Sequence, residues 1–221
     1  MIPKIIHYCW FGGKEMPELA QKCIESWRKY LPEYELRLWN EDTFDLDMYP
    51  YAREAYDNRK FAFVTDVVRL WALEKFGGVY MDTDVEVLKS FEPLMQDVAF
   101  IGLEESLALL PGTCVMGCEA HCGWVRDMLS TYNNTHFLHE DGTMDMTTNV
   151  QRLGKRMVEG GLQHERKIQY LSQWGLRVYT HDYFSPITST RVMRKSKNTY
   201  CIHRFAGTWV DGKKGGLRDW W

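Results

Sequence analysis

Two aspartates separated by one residue, Asp82 and Asp84, are the part of the sequence best suited to chemistry. They directly follow an apolar run at residues 79–81, which predicts a buried strand. Open α/β sheets bind their ligands at the carboxyl ends of strands. Residues two apart on an extended chain point the same way. The pair is therefore predicted to face one cleft.

Two carboxylates in one cleft indicate a divalent cation. At 4 Å and an effective dielectric near 20, two like charges repel by about 4 kcal/mol, so the pair alone would repel a phosphate. Mg²⁺ or Mn²⁺ reverses this effect because it binds carboxylate and diphosphate oxygens together. It would also stabilise the charge on a departing nucleoside diphosphate. A solvated strand end remains an alternative for so short a motif.

A second charged pair, Asp66 and Arg69, lies three residues apart on a helix predicted at residues 60–76, so both side chains share a face. An exposed intrahelical ion pair would contribute little to stability. The surrounding stretch is apolar, however, and two charges there could instead hold the hydroxyls of a sugar. Both interpretations stay open.

The elements that position these residues follow from hydrophobic periodicity. We predict a strand at residues 5–10, a helix at about 20–31 and a strand at 34–38, an order typical of parallel sheets. Another strand is predicted at 98–103, helices at 125–132 and around 150–157, and short strands at 177–180 and 199–203. Residues 133–148 are polar and predict a loop. A single α/β domain covering residues 1–221 is expected.

Composition limits the possible partners and locations. The net charge of -3, without a long basic block, argues against nucleic acid as a partner. The start of the chain does not resemble a signal peptide and no apolar stretch is long enough to span a bilayer, so we expect a cytoplasmic protein with reduced thiols. Cys114, Cys118 and Cys122 recur every four residues. Small buried side chains explain them better than a zinc site does, since the spacing is not that of a zinc knuckle.

The combination of residues 62–69, Ala-Phe-Val-Thr-Asp-Val-Val-Arg, with residues 75–84, Lys-Phe-Gly-Gly-Val-Tyr-Met-Asp-Thr-Asp, is far more specific than either piece. It resembles the Asp-x-Asp sugar-binding region of the family of yeast initiating α-1,6-mannosyltransferases and bacterial capsular-polysaccharide glycosyltransferases. It is also similar to the catalytic domains of clostridial glucosylating toxins. Residues 2–13, 26–27, 39–40 and 198–203 match the bacterial members too.

The resemblance implies a GT-A type nucleotide-diphospho-sugar transferase fold, α/β with a mixed, mostly parallel central sheet flanked by helices. The implied activity is metal-dependent transfer of a hexose from a UDP- or GDP-sugar, with retention of the anomeric configuration. A glycan or a lipid-linked molecule would be the acceptor, in surface polysaccharide synthesis. The basic and aromatic residues 213–221 suit peripheral contact with the inner face of the membrane, or a closing loop.

The resemblance also implies roles for individual residues. Trp10 would stack on the donor base, while Asp66, Arg69 and Tyr80 would contact the donor. Asp84 would bind Mn²⁺ or Mg²⁺ directly, and Asp82 would face ribose, sugar or metal-bound water. His203 is expected as a further metal ligand, Trp209 over the diphosphate, and Asn149 in the donor site towards the acceptor. The sequence departs from the bacterial pattern at residues 112–114, Gly-Thr-Cys, where relatives often have Asn, so contacts there stay open.

Two alternatives belong to other functional classes. An apolar strand followed by Asp-x-Asp-x-Val also occurs in haloacid-dehalogenase-like phosphohydrolases, but those enzymes need a downstream lysine and a Gly-Asp-x-x-x-Asp segment that we do not find. Their motif also usually opens the domain. A non-catalytic sugar-nucleotide-binding protein is the other alternative; it would be favoured by loss of the metal motif or of the Asp66/Arg69 pair, and both are intact.

Overall fold

The structure is a computed structural model that describes residues 1–104, 110–188 and 190–207. Among these residues, no helix is both long and apolar enough to cross a bilayer. The helices are α1 (Glu18–Tyr30), α2 (Pro50–Asp57), α3 (Phe61–Phe76), α4 (Gly123–Ser130) and α5 (Asn149–Glu159). The strands are β1 (Ile5–Cys9), β2 (Glu35–Trp39), β3 (Gly78–Met81), β4 (Val85–Val87), β5 (Ala99–Leu103), β6 (Pro111–Cys118), β7 (Gln169–Leu171), β8 (Leu176–Tyr179) and β9 (Cys201–His203).

A seven-stranded sheet in the order β2-β1-β3-β6-β5-β8-β7 forms the centre of the fold. β1 pairs in parallel with β2 and β3, and β5 pairs in parallel with β8. β6 lies antiparallel between β3 and β5, and β7 lies antiparallel to β8. Five strands therefore run one way, and only β6 and β7 run the other. This confirms the predicted mixed, mostly parallel sheet.

Hydrophobic packing covers both faces of this sheet. Along β3, Tyr80 belongs to the core cluster that contains α2, α3 and α4, whereas Val79 and Met81 belong to the cluster that contains α1. This alternation follows from the two-residue period of a strand. The same division separates the cysteines: Cys114 belongs to the cluster that contains α1, whereas Cys118 and Cys122 belong to the other cluster. A shared zinc site of those three cysteines is therefore excluded, and all six cysteines are buried free thiols.

The predicted elements are present, while α2, β4, β6 and β7 were missed. β6 is the informative case because it lies in the middle of the sheet yet contains two glycines. A Cβ on Gly117 would lie 2.3 Å from the ring of Phe100 on β5. Glycine inside a strand weakens the sequence signal and marks the close approach of another group.

A buried histidine connects the first strands to the end of α3. His7 on β1 is fully buried, and its Nε2 lies 2.8 Å from the carbonyl oxygen of Gly77. The indole Nε1–H of Trp39 on β2 donates to His7 Nδ1 at 3.1 Å. Because the carbonyl can only accept and the indole can only donate, the ring is neutral with its proton on Nε2. A second proton, on Nδ1, would face the indole N–H.

The stability of the fold should fall in mild acid because of His7. Burial lowers the pKa of His7 from its ordinary value of 6.5 to about 4. The neutral ring is favoured by the fold, so its contribution is complete above pH 6.5 and is lost as pH falls towards 4. Integrated over that window, the loss is about 3 kcal/mol.

His7→Gln offers a non-titrating amide that can also donate to one partner and accept from the other. Urea unfolding between pH 7 and pH 4 should show a steeper loss of unfolding free energy for the wild-type protein than for His7→Gln. Parallel curves for the two proteins would contradict the assignment.

Candidate functional site

A cavity of about 440 Å³ lies at the carboxyl ends of β1 and β3. Its size is typical of sites for small organic ligands. The cavity brings together every predicted site residue that the structure describes: Trp10, Asp66, Arg69, Tyr80, Asp82, Asp84, Asn149 and His203. Trp209 lies outside the described residues.

The two aspartates of the motif converge through a turn. β3 ends at Met81, and the amide of Val85 donates to the carbonyl of Asp82 at 3.1 Å, which closes a four-residue turn. The amide of Asp82 donates to the carbonyl of Cys114 on β6 at 2.9 Å, which anchors the start of that turn. The prediction that an extended strand aligns these side chains was wrong. The turn aligns them instead, because strand pairing stops one residue earlier.

Arg69 is the central cation of the site, and its side chain is only 7% exposed. Its guanidinium lies 3.4 Å from Asp66 Oδ1 and 3.3 Å from Asp82 Oδ1. It also donates to the carbonyl of Thr113 at 2.9 Å and lies 4.5 Å from the centre of the Tyr80 ring. The pair on α3 is therefore no exposed ion pair. Arg69 joins helix, strand and turn.

Asp66 also connects α3 to α5. The amide of Asn149, at the start of α5, donates to Asp66 Oδ2 at 2.9 Å. A carboxylate at a helix N-terminus is stabilised by the helix dipole and by unpaired amides. Burial nevertheless raises the pKa of Asp66 to about 6, against the opposing effects of Arg69 and the Asn149 amide. Asn149 itself is almost fully buried, so the residue that sequence reasoning placed in the donor site also holds Asp66.

Asp84 is held by β9 and by the residues that follow it. Antiparallel pairing of β4 with β9 places Val85 opposite His203. His203 Nε2 lies 3.5 Å from Asp84 Oδ1, and the Ala206 amide donates to Asp84 Oδ2 at 2.8 Å. Burial by itself would raise the pKa of Asp84, but His203 and the Ala206 amide bring that pKa below its ordinary value.

Asp82, Asp84 and His203 each offer one ligand atom, and these atoms lie within 4.8 Å of one another. Two carboxylates and an imidazole are a suitable ligand set for a divalent cation such as Mn²⁺. Asp82 Oδ1 also accepts a hydrogen bond from the Tyr80 hydroxyl at 2.8 Å, which fixes that carboxylate. The residues present therefore fit the metal that the sequence predicts.

Trp10 follows β1 and is half-buried at the cavity wall. Its amide donates to the carbonyl of Trp39 at 3.0 Å, and its indole N–H donates to the carbonyl of Lys14 at 2.5 Å. Both contacts hold the ring in place without using its faces. An aromatic ring fixed in this way can stack on a planar group.

Sequence reasoning missed Glu104 and interpreted Cys114 only as a small buried side chain, although both line the cavity. Glu104 is almost fully buried at the end of β5. A carboxylate directly after an apolar strand was a usable signal, the same one that identified Asp82. Cys114 had no such signal because β6 itself was not recognised.

Comparisons with known proteins show what the chain is similar to in sequence and in fold. Residues 17–101 match the family described as glycosyltransferase sugar-binding region containing DXD motif. Inositol phosphoceramide mannosyltransferase 3 of Schizosaccharomyces pombe is 35% identical over 104 residues, covering 45% of this chain and 29% of that protein. Mannosyl phosphorylinositol ceramide synthase SUR1 of Saccharomyces cerevisiae is 30% identical over 109 residues, covering 46% and 27%. The chain thus spans less than a third of the length of these relatives.

Solved structures extend the likeness to the fold. The PaToxG glycosyltransferase superposes with a TM-score of 0.51 at 18% identity, covering 72% of each chain. A glycosyltransferase involved in glycosylation of the major capsid of PBCV-1 gives a TM-score of 0.50 at 12% identity, covering 92% of this chain and 95% of that one. Residues 17–101 are therefore similar to a DXD sugar-binding region, and the chain shares its fold with these glycosyltransferases. The match does not separate the bacterial capsular type from other branches.

Replacing Arg69 should lower the free energy of unfolding. Arg69→Met leaves the buried Asp66 carboxylate and the partly buried Asp82 carboxylate without their cation, and breaking a buried ion pair from one side destabilises proteins by about 3–5 kcal/mol. Arg53→Met is the matched control, because its guanidinium pairs with exposed Asp47 and Asp57; such pairs contribute about 0–1 kcal/mol. Urea unfolding measures both variants. Equal losses would show that Arg69 does not hold the site together.

Proposed function

We propose that this chain, which is similar to a DXD sugar-binding region and shares its fold with glycosyltransferases, is a metal-dependent glycosyltransferase that retains anomeric configuration and uses a nucleotide-diphosphate hexose. The observation that carries the proposal is the convergence of Asp82, Asp84 and His203 beside the buried Asp66–Arg69 pair in one cavity. A diphosphate needs the cation that the first three residues fit. The buried pair gives a sugar fixed, directional partners.

The residues divide the work by position. Asp84 and His203 would hold Mn²⁺ or Mg²⁺ together with Asp82, and the bound ion would neutralise the charge that develops on the diphosphate. Trp10 would stack on the base. Asp66 and Arg69 would orient the hexose, because the two side chains hold each other on α3 and the start of α5 also binds Asp66. We assign no covalent nucleophile.

The names of the relatives favour a particular donor within this proposal. Two of them are named for mannosyl transfer involving inositol phosphoceramide or phosphorylinositol ceramide. A mannosyl donor is therefore the first choice among UDP- and GDP-hexoses. A lipid-linked or growing surface glycan acceptor, in surface polysaccharide synthesis, completes the proposal. It places the protein in the cytoplasm with peripheral contact at the inner face of the membrane.

The test is thermal unfolding with a panel of UDP- and GDP-hexoses, each with and without Mn²⁺, followed by assay of sugar release. A ligand at about 100 times its Kd adds about 2.7 kcal/mol of stability, which is readily visible. Metal-dependent stabilisation with sugar release supports a transferase. Stabilisation without release would favour the non-catalytic sugar-nucleotide-binding alternative, and phosphate release from simple phosphomonoesters would favour the phosphohydrolase.

Removing one metal ligand should abolish the metal response. Asp84→Asn keeps the shape of the side chain but loses a charge, so the Mn²⁺-dependent stabilisation by the donor should disappear. Sugar release should fall by at least about 100-fold, because a bound cation contributes several kcal/mol to such reactions. Asp57→Asn, an exposed site on α2, removes the same charge and should change neither reading. Full activity of Asp84→Asn would rule out the metal assignment.

Truncating the Trp10 side chain should weaken nucleotide binding. Trp10→Ala should weaken the affinity for the preferred nucleoside diphosphate by about 1–3 kcal/mol, the usual value of one base stacked on an aromatic ring. Trp10→Phe keeps an aromatic face and should retain most of the affinity. Isothermal titration calorimetry in Mn²⁺ measures both variants. Unchanged affinity of Trp10→Ala would place the base elsewhere.

A further inference from the structure

The imidazole of His203 has two different neighbourhoods. Its Nε2 faces Asp84, while Nδ1 lies 3.4 Å from Glu104 Oε1 on the other side of the ring. Nδ1 is buried and makes no hydrogen bond within the described part of the chain. Glu104, Cys114 and His203 each offer one ligand atom, and these three atoms lie within 4.8 Å of one another. In the proposed donor site His203 binds the metal through Nε2, which leaves the group formed by Glu104, Cys114 and Nδ1 of His203 without a role.

The fold aims these side chains inward through an irregular strand. Ile101 of β5 pairs with Met116, but the next residue, Gly102, pairs with Gly112, so residues 113–115 of β6 bulge away from β5. Bulges re-aim side chains and are frequent next to functional sites. A Cβ on Gly112 would lie 2.9 Å from Glu104 Cγ. The glycine therefore leaves the space in which Glu104 folds over β6 towards His203.

We propose that Glu104, Cys114 and His203 form a second cation site, beside the donor-site ligands in the same cavity, that takes a thiophilic divalent ion of the Zn²⁺ class. Carboxylate, thiolate and imidazole are the usual protein ligands of zinc, and three of them leave one coordination position open. The sulfur disfavours Mg²⁺ and Mn²⁺, which prefer oxygen. On binding, the thiol proton of Cys114 leaves to solvent and a bond forms from the sulfur to the ion. His203 binds the ion through the lone pair of Nδ1, with the ring proton on Nε2; that proton also leaves to solvent when a donor-site ion binds Nε2.

The charge and burial of the ligands suit a divalent ion. The thiolate and the carboxylate together carry two negative charges, which match a divalent ion. Glu104 and Cys114 are almost fully buried, so the ligands are held by packing before the ion arrives. An ion at Nδ1 would also give a ligand bond to a buried nitrogen that makes no hydrogen bond in the described part of the chain.

Co²⁺ absorption tests the site without reference to transferase activity. The full chain, kept reduced with a phosphine and free of metal, is titrated with Co²⁺. We expect a thiolate-to-Co²⁺ charge-transfer band in the near ultraviolet, which an equimolar amount of Zn²⁺ removes. Cys114→Ser should lose the band. Cys118→Ser is the matched control, a buried thiol on the same strand that bonds the Leu73 carbonyl, and should keep it.

Two further variants separate this site from the donor site and guard against misfolding. Asp84→Asn should keep the Co²⁺ band, so failure of the donor-site metal leaves this result intact. Glu104→Gln should weaken Co²⁺ binding by at least about 10-fold, and it serves if Cys114→Ser does not fold by circular dichroism. No band from the folded wild-type protein, or a band that persists in folded Cys114→Ser, would overturn the proposal.

Discussion

A buried guanidinium with several simultaneous partners organises this protein. Arg69 lies between the carboxylates of Asp66 and Asp82, donates to the carbonyl of Thr113 and covers the ring of Tyr80. Moving a lone charge into a protein interior is very costly, so such a group persists only with partners arranged around it. Each partner sits on a different element. The same contacts that make the cation tolerable therefore fix α3, the turn after β3, and β6 relative to one another.

The balance of charge in the cavity explains why a cation is expected there. Asp82 is already engaged by Arg69, while Asp84 and Glu104 lie on either side of His203. The carboxylates of Asp66, Asp82, Asp84 and Glu104 all line the cavity, so we expect a diphosphate to bind together with a metal ion that screens them. The overall charge of -3 says nothing about this. The arrangement of charged side chains around the cavity decides whether a cation is needed.

Two antiparallel pairings lie where the ligand residues meet: that of β6 within the mostly parallel main sheet, and the separate β4–β9 ladder. β6 runs between β3 and β5, so its bulge places Thr113 and Cys114 beside the end of β3. The separate β4–β9 ladder brings His203 to the turn that carries Asp84. The carboxyl end of β3 thus receives side chains from segments far apart in the chain.

The sequence by itself determined the long apolar helices and strands, the position of the Asp-x-Asp motif after a buried strand, and the spacing that places Asp66 and Arg69 on one face of α3. These are local properties, since periodicity and glycine stops act over a few residues. Only the tertiary structure decided that a turn aligns Asp82 with Asp84, that glycine-containing β6 occupies the middle of the sheet, and that Glu104 and His203 meet. Those outcomes depend on contacts between distant segments, where the space beside Gly112 or Gly117 is defined by side chains on another strand.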